Sequence, residues 1–179
     1  MIEPYIFYKE YTKISPLVYQ LQDVATTVFI GGGCPRDIYF DKPFSDIDIF
    51  LSSDADIFKV INILNKTPTA TCPEIKTGDS LPAHYQASHL KAVLTFEAFG
   101  LPFQIVIVNR HSFTTIMDTF AVNISKFYFD GRNPIATHYA LNAMKNKSLI
   151  FNTELPLNQI YKQKIIKKFP DYKVVKEKV

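Results

Sequence analysis

The stretch Thr27-Val28-Phe29-Ile30-Gly31-Gly32-Gly33-Cys34-Pro35-Arg36-Asp37, followed after eight residues by Asp46-Ile47-Asp48-Ile49-Phe50-Leu51, is the most informative part of this chain. Apolar residues running into three glycines read as a short buried strand that closes in a turn. Pro35 suits the first turn of a helix, where the amide it lacks would be unbonded anyway, so a short helix is predicted from Cys34 to Asp41. The alternation from Asp46 to Leu51 predicts a second strand, with Asp46, Asp48 and Phe50 on one face and Ile47, Ile49 and Leu51 on the other. Two carboxylates on one face repel each other, and this strand contains no lysine or arginine to balance them. Mg²⁺ would do so, because it takes hard oxygen ligands and shares them with substrate phosphates. The glycine turn complements such a site: glycines let a phosphate approach the backbone, and Arg36 stands in the next helical turn. Taken singly, the turn is also compatible with a plain tight connection, and the aspartates with a solvated strand edge.

The flanking sequence supplies the rest of an α+β layer. Leu17, Val18, Leu21 and Val24 recur at helical spacing, which predicts a helix over 14–26. Ser53 or Asp54 can cap a helix whose stripe is Ile57, Val60, Ile61 and Leu64. Thr69 to His89 holds two prolines and a Gly-Asp pair and reads as an irregular insertion. Lys91–Phe99 and Phe103–Val108 are rich in β-branched and aromatic residues and are separated by Gly100-Leu101-Pro102, so they predict a hairpin. A helix is expected over Ser112–Phe120, then a strand and turn in ISKFYFDG. Asn133-Pro134 reads as a cap and first-turn proline opening a helix to Asn146, and a last helix is expected over Leu157–Phe169. The expected architecture is a single α+β domain, a mixed sheet with helices packed on one face.

With 179 residues the chain suffices for one domain with a substantial core and falls short of two ordinary ones. Its 47% hydrophobic and 21% charged residues exclude a disordered polyelectrolyte. No apolar run reaches the roughly 20 residues of a membrane span, and the N-terminus lacks a signal-peptide pattern, so no membrane association and a cytoplasmic location, bacterial or in an infected host, are expected. Cys34 and Cys72 match no metal-ligand spacing and read as reduced thiols. The net charge of +3 divides unevenly: from Lys162 onward seven lysines face two acids, giving +5, while residues 1–161 carry 13 basic and 15 acidic groups, giving −2. A boundary near residue 158 is therefore expected, with a catalytic domain over 1–158 and a helix end and lysine-rich tail over 159–179. Such a tail is either a solvated face or a grip on a polyanion.

The spacing of the two motifs resembles the signature of the DNA polymerase β nucleotidyltransferase superfamily. It is most similar to the head domain of bacterial poly(A) polymerases and class II CCA-adding enzymes, whose first motif runs Gly-Gly-x-x-Arg-Asp, eight residues, Asp-x-Asp. Here Gly32-Gly33-Cys34-Pro35-Arg36-Asp37 and Asp46-Ile47-Asp48 keep that spacing. Phe120-Ala121-Val122-Asn123 resembles the family's Phe-Thr-Ile-Asn, and Phe129-Asp130-Gly131 its Tyr-Asp. The resemblance spans residues 27 to about 132, and small stand-alone members, some from phages, are the better comparison. It implies a nucleotidyltransferase palm-like fold, with Asp46 and Asp48 holding two Mg²⁺ ions, or Mn²⁺ in their place. Gly32, Gly33 and Arg36 would bind the triphosphate, and Asn123 would contact the sugar.

Three departures accompany the resemblance. Met117-Asp118-Thr119 stands where the family has Arg-Arg-Asp. Gln104 stands where relatives carry a further carboxylate, so Glu97 across the hairpin substitutes, or two aspartates suffice, or activity is lost. Nothing resembles the family's neck, body and tail. Of the histidines, His84 and His89 flank the insertion beside the expected cleft, His138 has no metal-ligand spacing, and His111 with its neighbour Arg110 is a phosphate-contact candidate. The implied activity is transfer of a nucleotide from an NTP to an acceptor hydroxyl at an RNA or tRNA 3′ end. The alternatives are nucleotidylation of a protein hydroxyl and a nucleotidyltransferase-like binding module without turnover.

Overall fold

A computed structural model of the protein describes residues 1–81, 89–152 and 159–175. Its centre is the motif pair. Strand β1 (Val28–Gly31) runs into helix α2 (Gly33–Tyr39) and returns as β2 (Ile47–Leu51), antiparallel to β1, with Gly31 paired to Asp48 and Ile30 to Ile49. Ile47, Ile49 and Leu51 are fully buried, whereas Asp48 and Phe50 on the opposite face are partly open, as the alternation predicts.

Strand β5 (Leu101–Val108) lies parallel to β2, with Gln104 paired to Asp48. Its antiparallel partner β4 (Leu90–Ala98) is joined to it through Phe99 and Gly100, at φ 55° and 73°. Two consecutive left-handed residues make the tight hairpin turn whose twist matches that of the strands. Beyond β4 lies β3 (Glu74–Thr77), an edge strand within the stretch expected to be irregular. That stretch has no clean alternation, and β3 owes its conformation to the ladder of β4. His84 lies outside the described residues. On the other side, β6 (Phe127–Phe129) pairs with β1, and β7 (Pro134–Ala136) pairs with β6. The order β3-β4-β5-β2-β1-β6-β7 makes a mixed, mainly antiparallel sheet.

Helix α1 (Pro4–Gln22) begins ten residues before the expected start, with Pro4 in its first turn, and buries Phe7, Ile14, Leu17 and Leu21. Together with α3 (Ile57–Lys66) it covers the Ile47, Ile49 and Leu51 face of the sheet. The cap of α3 is Asp56, which accepts from the amides of Phe58 and Lys59. Asp54 instead accepts from the Thr26 amide and hydroxyl and from Ser52, and these bonds hold its carboxyl down at about 2.

Short helix α4 (Phe113–Asp118), capped by Ser112, packs Ile116 and Met117 on the opposite face against Phe29, Val106 and Val108. Pro134 does not open a helix. It begins β7 at the sheet edge, where a strand tolerates a missing donor, and α5 (His138–Asn146) is capped by Thr137. Strand β8 (Ser148–Ile150) pairs in parallel with β9 (Lys173–Val175), a small sheet the sequence reading lacks. Helix α6 (Gln159–Lys168) buries Ile165, and Phe169 follows it into a third apolar cluster with Leu149 and Phe151. Four lysines of the expected tail, 162, 164, 167 and 168, thus lie on a packed helix, while Lys176 and Lys178 lie outside the described residues. No described helix is long and apolar enough to cross a membrane.

Candidate active site

The open face of β2 forms the floor of a cleft of about 410 Å³. Asp46 and Asp48 line it together with Gly33 at the start of α2 and Gln104 of β5. Phe50 and Phe120, rings 4.7 Å apart, make an aromatic side wall. Tyr161 and Lys164 of α6 line the same cleft, and the Lys164 charge reaches Asp48.

The glycines fit the site in ways a side chain would not. A Cβ on Gly31 would fall 2.7 Å from the Phe29 ring. Gly32 adopts φ 79°, and its Cβ would fall 3.6 Å from Asp48 Oδ2. The Gly32 amide donates to the Phe127 carbonyl at 2.9 Å, tying the turn to β6.

The carboxylate pair is electrostatically loaded. Burial, and then the neighbouring Asp46, push Asp48 up from 3.8 to about 8, while Lys164 and Arg36 pull it down. The Ser45 hydroxyl donates to Asp46 Oδ1 at 2.5 Å. Buried Cys34 lies beneath the pair, its thiol held well above the ordinary range by burial and by the charges of Asp48, Asp37 and Asp46. Both cysteines are free thiols. An under-neutralised pair of hard oxygen donors suits Mg²⁺ or Mn²⁺, whose remaining positions water and phosphate oxygens can fill. No cluster of three or more His, Cys, Asp or Glu that could hold a metal occurs among the described residues. The ladder explains why. Asp48 pairs with Gln104 and Gln104 with Thr95, whereas Glu97 sits opposite Pro102, exposed and outside the cleft lining.

Arg36 lines the cleft, yet two of its donors are engaged within the protein: Nε donates to Asp37 Oδ1 at 2.7 Å and Nη1 to Ser125 Oγ at 2.6 Å. The other Asp37 oxygen accepts from Lys168 Nζ, so Asp37 bridges two cations and fastens α6 to α2. Asn123 is not part of the lining. Its carbonyl oxygen accepts from the amides of Ile124 and Ile150, and its amide donates to the Ser148 carbonyl, pinning β8 to the preceding turn. Arg110 is exposed beyond β5 and donates to its neighbour's carbonyl. His89 borders the cleft, its imidazole pKa lowered by burial and by the Arg110 charge. His111 meets Ser53 at 2.9 Å, and His138 lies against the Tyr139 ring at a tilt.

The sequence therefore brings Asp46, Asp48, Gly32, Gly33 and Arg36 together, and leaves Glu97, Arg110 and Asn123 outside the cleft lining. Sequence reasoning missed Tyr161 and Lys164. A signal did exist: Tyr161, Lys164, Ile165 and Lys168 follow the i, i+3, i+4, i+7 pattern of a helix face that meets the body.

No family model matches the chain, and no curated protein sequence does. Solved structures do. A tRNA-processing enzyme in an apo form superposes with a TM-score of 0.57 at 12% identity, over 94% of this chain and 44% of that one. The Bacillus stearothermophilus CCA-adding enzyme in complex with CTP gives 0.52 at 14% identity, over 92% and 40%. A CCA-adding enzyme in complex with ATP gives 0.50 at 13% identity, over 94% and 38%. The chain spans less than half the length of these proteins. Over nearly its whole length the chain shares the fold of the corresponding part of these enzymes.

Proposed function

We propose that the protein is a Mg²⁺-dependent nucleotidyltransferase that moves a nucleoside monophosphate from an NTP to an acceptor hydroxyl, with an RNA or tRNA 3′ end as the acceptor. The observation that carries this reading is the Asp46–Asp48 pair at the start of β2, lining the cleft beside a glycine turn where a Cβ on Gly32 would stand 3.6 Å from Asp48 Oδ2. Mg²⁺ held by the two carboxylates would supply charge stabilisation for phosphoryl transfer. The Gly32-Gly33 backbone leaves room for the phosphates, and the Phe50 and Phe120 rings offer a face on which a base can stack. The acceptor oxygen attacks the α-phosphorus; the new P–O bond forms as the α–β bridge breaks, and pyrophosphate leaves. Gln104, next to Asp48, cannot take the hydroxyl proton, which passes to solvent.

Gln104 also favours a second reading, a module that binds nucleotide without turnover. Incubating the protein with Mg²⁺, each α-labelled NTP and total RNA separates the two. The transferase reading expects label on RNA that disappears in the Asp46→Asn/Asp48→Asn protein. Undiminished transfer by that variant would exclude the aspartates as the metal site, label on protein would make the acceptor a polypeptide, and NTP binding without any transfer would favour the module.

A further inference from the structure

Arg36, the cation that sequence assigns to the triphosphate, is committed to Asp37 and Ser125. Lys168 is committed to Asp37 as well. The cleft nevertheless has a cation facing its carboxylate floor: Lys164, exposed, in the middle of α6, and in no ion pair among the described residues. The helix that carries it is firmly anchored to α2. Lys168 Nζ bonds Asp37 and the Pro43 carbonyl, Lys42 Nζ donates to the Lys168 carbonyl at 2.6 Å, and Phe169 meets Phe40 edge to face at 5.2 Å. One turn earlier, the Tyr161 hydroxyl meets Ser125 Oγ at 3.3 Å. Thus α6 is held as a wall of the cleft, while Lys164 keeps its four-carbon reach. The other lysines of α6 serve as a contrast: Lys162 lies over the Phe151 ring, and neither Lys162 nor Lys167 lines the cleft.

We infer that Lys164 takes the β- and γ-phosphates of the incoming nucleotide, so that the C-terminal helix, and not the Arg36 motif, supplies the phosphate-chain cation of this site. A triphosphate laid on two carboxylates needs positive charge on the side away from them, and a metal between carboxylates and phosphate neutralises only part of the chain. Lys164 lines the same cleft as both aspartates and is exposed, so it can reach such a phosphate chain. The inference rests on the nucleotidyl-transfer reading, and its test separates the two.

Calorimetric titration with Mg²⁺-tripolyphosphate, with each Mg²⁺-NTP and with each NMP is the experiment, on wild type, Lys164→Ala, Lys164→Arg and Lys162→Ala. Lys164 is exposed, so the alanine protein should melt as wild type does. The expected result is a loss of roughly 10- to 100-fold for tripolyphosphate and NTP in Lys164→Ala, the scale of one charge-assisted hydrogen bond. Monophosphate binding should be unchanged, Lys164→Arg should recover most of the loss, and Lys162→Ala should behave as wild type. Wild-type affinity for tripolyphosphate in Lys164→Ala would overturn the role of Lys164 and leave nucleotidyl transfer standing. A wild type that binds neither Mg²⁺-NTP nor Mg²⁺-tripolyphosphate would overturn both.

Discussion

Replacing Asp48 by Asn should make the metal-free protein more stable while abolishing its activity. Asp48 titrates at 3.8 in an unfolded chain and at about 8 in the fold, because burial and Asp46 disfavour its charge. Between those values the folded state keeps a proton that the unfolded chain has released, so stability falls as pH rises, and the loss is complete above about 8. At about pH 7 the interval above the unfolded value is roughly three pH units, or about 4 kcal/mol at 1.36 kcal/mol each. Relaxation of the protein and water around a buried carboxylate lowers the figure, so a gain of about 2 kcal/mol is expected for Asp48→Asn. For a chain of this size that is about 4–8 °C in Tm. Thermal melts in chelator across about pH 4 to 9 provide the assay: the two proteins should converge at the acid end and separate steadily towards the alkaline end. Saturating Mg²⁺ should reverse the order, since a ligand at 100 times its Kd adds about 2.7 kcal/mol to the wild type. A gap between the two proteins that does not vary with pH would refute the electrostatic account, as would an Asn protein that is the less stable of the two under all conditions.

Three further outcomes follow from the same geometry. Removal of the Asp37 carboxylate in Asp37→Ala strands Arg36 and Lys168 without a counter-charge and should cost about 3–5 kcal/mol, read by urea denaturation. Gly32→Ala forces a side chain into φ 79° and ψ −129° and should cost about 1–3 kcal/mol by the same measurement, together with weaker Mg²⁺-NTP binding, because the new Cβ fills the space beside Asp48. Mg²⁺ must displace the Asp48 proton, so its affinity by calorimetry should rise up to about tenfold per pH unit below about 8 and level off above, a slope that Asp48→Asn should lose.

The residues that could be read from sequence are those whose neighbours are local. The glycine turn, the short α2 and the alternation of β2 lie within 24 residues, from Val28 to Leu51, and place both aspartates on the cleft floor unaided. The hairpin of β4 and β5 was equally plain. Elements whose conformation comes from a distant partner were not: β3 takes its form from β4, and Pro134 reads as a helix start until β6 claims it as an edge strand. Helix α1 was read short because Tyr5, Phe7 and Tyr8 are indifferent helix formers, and the docking of Phe7 into the core stabilises that first turn. The site follows the same rule. Arg36 looks available until Ser125, 89 positions away, accepts its hydrogen bond. Lys164 looks like part of a tail until Asp37 holds its helix in place, 131 positions from Lys168.

The parallel pairing of β2 with β5, the one such pairing in the seven-stranded sheet among the described residues, bears on the order in which the molecule folds. Ile47 meets Phe103 and Ile30 meets Phe129, partners 56 and 99 positions apart, whereas β4 turns directly into β5. Short loops close before long ones, so the hairpin precedes the docking of β2 and β6. Asp46 and Asp48 therefore remain hydrated until the final association, and the cost of dehydrating them falls on the last step. Alkaline conditions then act mainly by hastening the escape of the finished fold, with little effect on the early collapse that builds its halves.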